Sequence, residues 1–323
     1  MHDKKVLVTG GAGFIGSHLV EKLLEKGYKV IAFDNFSWGS RENLNSVESE
    51  HLQVIKGDVI DLKSLRTAAK DVNLLFHLAV LNLRVGLEDP ISAFQANVKG
   101  TLNICMIAKE NRNIKRTIFT SSGAVYGRPR YQPRDEKHPL DATNPYAADK
   151  VAGEMYLRAF YESWGIPYVI LRLFNTFGPR SQQTAYAEVI PKFVERIARG
   201  LPPIIFGTGK QRMDFTHVKD IVDGIVGAAE SDKALNDVMN LASGQDVSIN
   251  ELADLVLKLL GKTGEIQPVY DEPRPHEKPV LEEMPSPIVS IAKAEQLVGY
   301  KPMVPFEDGV KEYIEQYRLK QVA

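Results

Sequence analysis

Tyr146 and Lys150 stand one helical turn apart, behind Asn144-Pro145, a cap and first-turn pair that starts a helix. A free tyrosine has a pKa of about 10, too high for a base at neutral pH. An ammonium group beside the phenol stabilises the phenolate and lowers that value, so the pair can exchange a proton with a substrate alcohol. Ser122 closes the run Thr120-Ser121-Ser122 and offers a hydroxyl that can donate to, or accept from, the same alcohol oxygen. Tyr-x-x-x-Lys also arises by chance as a bland surface pair. The surrounding elements decide between these readings.

Those elements begin at the N-terminus. Val6, Leu7 and Val8 read as a buried parallel strand that stops at a glycine cluster. Phe14, Ile15, His18, Leu19, Leu23 and Leu24 then keep a helical stripe up to Gly27, a natural helix stop. Gly10, Gly13 and Gly16 lie between strand and helix. They let the backbone turn tightly and bring N–H groups up to a diphosphate, although any tight strand-to-helix turn can use such a triplet. The next strand ends at Asp34, where a carboxylate accepts hydrogen bonds from an adenosine ribose and repels a 2′-phosphate. The cofactor this predicts is NAD rather than NADP. Asp58, in Gly57-Asp58-Val59 at the end of the third strand, reads either as an adenine-side residue or as a cap for the helix near Asp61. His77-Leu78-Ala79 ends the fourth strand where backbone would run under the cofactor. His77 has no ligand partner at useful spacing and reads as a packed, hydrogen-bonded side chain.

Strands over 4–9, 29–33, 52–56, 73–78, 115–121 and 167–172 alternate with helices over 14–26, 61–69, 91–111 and 145–163, with a polar connection over 37–49. This predicts an α/β fold, a Rossmann-type doubly wound parallel sheet with a smaller C-terminal α/β substrate lobe. Residues 1–172 form the nucleotide domain with Ser122, Tyr146 and Lys150, and 173–323 mainly the lobe, with some segments returning to the sheet. Strands over 204–206, 214–216 and 238–241 are brief, and prolines stiffen 266–287 into a loop.

With 323 residues, 44% of them hydrophobic, the chain can bury a large core. Lys and Arg total 40 against 41 Asp and Glu, and neither sign forms a long run, so neither a nucleic acid nor a membrane surface is expected as a partner. The single cysteine, Cys105, sits in an apolar helical pattern and reads as core. No cysteine metal site is expected, and no metal at all. There is no signal peptide and no apolar run of membrane-spanning length, which makes the cytoplasm the default location.

The order of Thr9-Gly-Gly-Ala-Gly-Phe-Ile-Gly16, His77-Leu-Ala79, Asn97 with Gly100-Thr101, Ser122 with Val125-Tyr126-Gly127, and Tyr146 to Lys150 resembles the extended short-chain dehydrogenase/reductases, in their NAD-dependent nucleotide-sugar epimerase and dehydratase family. Leu171 to Pro179, Asp214-Phe215 with Val218 and Asp220, and Arg274-Pro275 carry the resemblance through nearly the whole chain. It implies that Gly10, Gly13, Phe14, Ile15 and Gly16 hold the NAD pyrophosphate, Asp34 and Asn35 the ribose, and Asp58 and Val59 the adenine side. Leu78 and Ala79 would line the middle, Asn97 would belong to the same cofactor site, and Lys150 with Tyr146 would meet the nicotinamide ribose. Ser122 and Tyr146 would meet the substrate, with Asn175 and Arg274 on its diphosphate. Family members commonly show Arg-Asp-Phe where this chain has Met213-Asp214-Phe215, so Arg212, one place early, is a re-aimed phosphate contact or a lost one. An Asp of the family's last motif is Ser290 here. Arg84, beyond the fourth strand, is a further substrate candidate beside the reading of a surface arginine.

Sugar dehydratases of the family resemble one another in an Asp-Glu pair directly after the catalytic Ser or Thr, and decarboxylases keep the Glu. Gly123 and Ala124 occupy those places and can move no proton. The remaining pattern resembles nucleotide-sugar 4-epimerases, which oxidise C4 transiently and return the hydride to either face. Two alternatives share these residues: a dehydrogenase or reductase that releases its keto product, and a silent relative that binds nucleotide as a sensor. The helices over 91–111 and 145–163 carry Phe94, Val98, Leu102, Met106, Met155, Leu157, Phe160 and Tyr161 on more than one side, and the resemblance makes them the seam of a homodimer.

Overall fold

Strands buried on both faces need helices above and below, and burial along each strand divides accordingly. The computed structural model describes residues 4–45, 47, 49–181, 188–272 and 289–322. Six strands arrive in order through the first half: β1 (Lys5–Thr9), β2 (Lys29–Asp34), β3 (Leu52–Lys56), β4 (Leu74–His77), β5 (Arg116–Ser122) and β6 (Tyr168–Leu173). Between and after them come α1 (Phe14–Glu25), α2 (Leu62–Ala68), α3 (Leu83–Glu88), α4 (Pro90–Phe94), α5 (Gly100–Glu110) and α6 (Pro145–Trp164). The second half adds β7 (Thr176–Phe177), α7 (Val189–Ala198), β8 (Ile204–Phe206), β9 (Arg212–Met213), β10 (Thr216–His217), α8 (Val218–Glu230), β11 (Asp237–Leu241), β12 (Val247–Ser248), α9 (Ile249–Leu259), β13 (Val269–Asp271), α10 (Ala292–Val298) and α11 (Phe306–Val322).

The main sheet has seven strands in the order β3-β2-β1-β4-β5-β6-β11, every pair parallel. This is the doubly wound arrangement, with the chain reversing direction of travel at β1 and β4. Val6, Val8, Val30, Ala32, Leu74, Phe76, Val169 and Leu171 face a layer containing α1 and α8. Leu7, Ile31, Phe33, Leu75, Phe119 and Ile170 face the opposite layer of α2, α5 and α6. The alternation along each strand therefore serves two cores, which is why the sequence runs are apolar throughout. A third core joins Phe193 and Ile197 of α7, Leu252 and Val256 of α9, and Tyr313 and Ile314 of α11. Short pairs β7–β10, β9–β12 and β8–β13 knit this lobe together.

Several elements differ from expectation. The helix over 91–111 is α4, a π-helical segment Gln95–Lys99, and α5, so one wide turn interrupts it at Asn97. The strand over 214–216 resolves into β9 and β10 on either side of Asp214-Phe215, because the Asp214 carboxylate accepts from Ser243 N, Gly244 N and Thr216 Oγ1 and bends the chain. The loop over 266–287 contains β13, and its residues from 273 onward lie outside the described ones. Of the apolar residues expected on the two seam helices, Val98, Leu157 and Phe160 are buried within the chain, Leu102, Met106 and Tyr161 are partly buried against its core, and Phe94 and Met155 are exposed. Leu83, Leu87 and Ile91 of α3 and α4 extend that exposed apolar face. No helix among the described residues is long and apolar enough to cross a membrane.

One buried ion pair ties the layers together. Glu154 of α6, fully buried, accepts from Arg172 Nε at 2.9 Å and Nη2 at 2.7 Å, and from Ser121 Oγ at 2.6 Å. Arg172 in turn lies over the Tyr126 ring, whose hydroxyl donates to Asn240 of β11 at 2.6 Å. Glu154→Ala leaves a buried guanidinium unpaired and should lower unfolding free energy by about 3–5 kcal/mol. The double variant Glu154→Leu/Arg172→Met should recover most of that loss. Urea denaturation of the three proteins checks both statements.

Candidate active site

Helix α6 begins with Asn144 accepting from Ala147 N and with Pro145 in the first turn, as the cap pair requires. Its inward stripe carries Tyr146, Lys150 and Glu154 at successive turns. Lys150 is buried against the Phe119 ring, and its Nζ donates to Thr120 O of β5 at 2.6 Å. The Tyr146 phenol lies within interaction range of the Ser122 side chain, and Ser122 Oγ accepts from Ala124 N at 3.2 Å. The structure thus brings Ser122, Tyr146 and Lys150 together at the C-terminal end of β5. On the other side, Gly86 of α3 packs against Tyr146, so a methyl there would stand 3.5 Å from Tyr146 Cβ.

Electrostatics at this point oppose one expectation. Burial pushes the Tyr146 phenol up to about 12, with the Ser122 side chain pulling the other way. Burial also brings the Lys150 ammonium down to about 7, against the pull of Asp149 and Glu154. In the protein alone burial sets the direction of both shifts, because desolvation disfavours both charged forms. The Asp149 carboxyl is raised by burial and held by Asn97 Nδ2 at 3.0 Å.

The nucleotide side is built from backbone. Gly10 has φ +70° and passes so close to Ala79 that an added Cβ would lie 2.8 Å from Ala79 N. Gly16 packs on Gly10, where an added Cβ would stand 1.9 Å from the Gly10 carbonyl oxygen. Gly13 caps α1 without a side-chain hydrogen bond, and no acidic residue occupies the first turn, so the N–H groups of Phe14 and Ile15 are presented to an anion. Asp34 ends β2 with its carboxylate accepting from Ala12 N and Phe36 N, which joins the glycine turn to the ribose position. Asn35 Nδ2 donates to Asp58 Oδ2 at 2.9 Å. Asp61, not Asp58, caps α2, so Asp58 is not the helix cap. Leu78 N and Ala79 N bond to Thr9 O and Thr9 Oγ1, and Val59 packs beneath Gly100. A carboxylate at the β2 tip, bare amides at α1 and a glycine-lined turn fit NAD.

Other expected residues fall as follows. His77 is buried with Thr9 Oγ1 at 2.7 Å and Thr101 Oγ1 at 3.0 Å on its two ring nitrogens, and burial lowers it to about 3. It is a neutral structural group. Asn97 Oδ1 accepts from Leu81 N while its Nδ2 donates to Leu81 O and Asp149, so its amide binds the π-helical turn to the loop after β4. Arg84 is half-buried on α3, the helix that abuts Tyr146. Asn175 is exposed at the end of β6, its Nδ2 donating to Asp214 O at 2.8 Å. Arg212 is paired with Asp246 at 2.8 Å and Glu251 at 3.2 Å, so any phosphate would compete with two carboxylates. Arg274 lies outside the described residues. Sequence reasoning missed Thr120 O, Asp149 and Glu154; the signal available was the spacing of Glu154 one turn beyond Lys150.

The family model described as the NAD dependent epimerase/dehydratase family matches residues 6–242. The chain is 37% identical to a putative UDP-glucose 4-epimerase of Methanocaldococcus jannaschii, over 96% of this chain and 97% of that one. It is 32% identical to a UDP-N-acetyl-alpha-D-glucosaminuronate decarboxylase of Bacillus cytotoxicus, over 98% of each. Among solved structures, a UDP-N-acetylglucosamine 4-epimerase from Methanobrevibacter ruminantium in complex with UDP-N-acetylmuramic acid superposes with a TM-score of 0.90 at 38% identity, covering 99% of this chain and 100% of that one.

Gly16→Ala should break the cradle, since its methyl would overlap the Gly10 carbonyl. NAD binding measured by calorimetry should weaken by about 1.4 kcal/mol or more, a factor of at least ten.

Proposed function

The chain belongs to the NAD-dependent epimerase/dehydratase family, and from that premise we propose that it is a nucleotide-sugar 4-epimerase acting on a UDP-sugar of the glucose/galactose type, plain or N-acetylated. The observation that carries this reading is at Gly123. An added Cβ there would meet the Phe174 ring at 2.5 Å, so a carboxylate at the place where family dehydratases hold one would require that buried ring to move. Ala124, next along, also has no proton to give. What remains around one point is a hydroxyl, a phenol and an amine.

Those three groups suffice for reversible oxidation of an alcohol. Tyr146 takes the proton from the C4 hydroxyl and later returns it, with Ser122 bonded to the same oxygen. Lys150, fixed by Thr120 O, supplies positive charge below the phenol. Bound NAD supplies the hydride acceptor, and in its reduced form the donor, so no net reductant accumulates. Between the two transfers the 4-keto sugar must turn while its nucleotide stays gripped, which makes the diphosphate contacts the main source of binding. Names of relatives include 4-epimerases and a decarboxylase, and the second reading, loss of CO2 from a nucleotide-linked uronic acid, shares the oxidation step.

The exposed apolar face of Leu83, Leu87, Ile91, Phe94 and Met155 supports a homodimer in which a second copy covers α3, α4 and α6. Sedimentation at micromolar concentration should show a dimer, and Phe94→Asp with Ile91→Asp should shift it to monomer.

The protein incubated with UDP-glucose or UDP-N-acetylglucosamine, without added NAD, should form the C4 epimer with no net NADH. Release of CO2 from UDP-glucuronate instead would select the second reading. Tyr146→Phe should lower kcat by about 10²–10⁴-fold.

A further inference from the structure

Arg134 has no part in the site as described, and its surroundings are unusual for an arginine. It lies in the connection between the short 3-10 turn Gly123–Tyr126 and α6, and is only 6% exposed. Its Nε is buried without a hydrogen-bond partner, and no carboxylate among the described residues pairs with its guanidinium. The guanidinium carbon stands 5.4 Å from the centre of the Phe174 ring. An aromatic face attracts a cation but accepts none of its five N–H groups in the way an oxyanion does.

The neighbours that could serve it are already engaged. Asp214 lies within electrostatic reach, yet its oxygens accept from Ser243 N, Gly244 N and Thr216 Oγ1. Tyr126 gives its hydroxyl to Asn240. The backbone of Arg134 is meanwhile held firmly, with its carbonyl accepting from Ser290 N at 2.9 Å and Asn240 Nδ2 at 3.3 Å, beside a bridge to Val289. A buried arginine with an unsatisfied Nε and no carboxylate partner among the described residues is costly to keep, and the partner that offsets this cost is an anion with two oxygens.

Its place in the fold says what kind of ligand carries that anion. The Phe174 ring beneath Arg134 also packs on Gly123, the residue after Ser122, and Phe174 immediately precedes Asn175. We propose that Arg134 is a substrate-binding residue that holds an oxyanion of the nucleotide-sugar, on its diphosphate or on a carboxylate of the sugar, in a bidentate grip. This rests on the nucleotide-sugar reading above.

Calorimetry of wild type, Arg134→Met and Arg134→Lys with UDP, UDP-glucose, UDP-glucuronate and uridine tests it. A charge-assisted pair should make UDP bind about 10- to 100-fold more weakly to Arg134→Met, with uridine unaffected and Arg134→Lys in between. KM should rise while kcat on the epimerised sugar holds, because Arg134 does not touch the reacting atoms. A loss confined to UDP-glucuronate would identify the sugar carboxylate as the anion. Without ligand, Arg134→Met should melt above wild type, and it should gain less from UDP. Equal dissociation constants for all ligands, or a lower melting point with an unchanged UDP-induced rise, would overturn the proposal in favour of packing alone. If Arg134→Met does not fold, Arg134→Lys decides by the same comparison. A wild type that binds no UDP would remove the nucleotide-sugar reading itself, and this proposal with it.

Discussion

The arrangement of Ser122, Tyr146 and Lys150 depends on a carboxylate buried wholly within the chain. Glu154 sits two turns beyond Tyr146 and one beyond Lys150, on the face of α6 that lies against the sheet. Its two oxygens are shared among Arg172 of β6 and Ser121 of β5. Sliding α6 by one residue would strand a buried charge, so the ion pair sets the register of the helix on the strands. That register places Lys150 under Thr120 O and Tyr146 beside Ser122. Through Tyr126 and Asn240 the same network reaches β11, a strand that comes from the second half of the chain.

Dryness has a price in charge, and the site shows where it falls. The Tyr146 phenol and Lys150 ammonium share one desolvated place, and burial moves both towards their neutral forms. A phenolate forms there only when positive charge is brought close. The chain provides for this with Lys150, whose own protonation is supported by Asp149 and Glu154, and by presenting its cofactor amides across the same strand ends.

Gly123, directly after Ser122, lies against the Phe174 ring, which an added Cβ would meet at 2.5 Å. Phe174 therefore has two neighbours of consequence, the glycine that limits the acid–base groups and the Arg134 guanidinium on its face. Gly123 directly follows Ser122 and Phe174 directly precedes Asn175, so one aromatic ring lies between the Ser122 turn and the Arg134 guanidinium.

By itself the sequence determined whatever depends on near neighbours along the chain. The glycine turn before α1, the acid at the tip of β2, the Asn144-Pro145 start of α6 and the Tyr146–Lys150 spacing follow from 2-residue and 3.6-residue periods and from glycine and proline geometry. Tertiary structure decided what depends on distant partners. Asp58 turned to Asn35 and left the cap to Asp61, Arg212 was taken by Asp246 and Glu251, and the π-helical turn formed where Asn97 meets Leu81 and Asp149. Apolar helix faces read alike from the sequence, yet Leu157 went to the core and Met155 to the surface. Desolvation and charge pairing are sums over everything nearby in space. For that reason the protonation of Tyr146 and Lys150, and the unpaired guanidinium of Arg134, become visible only in the folded chain.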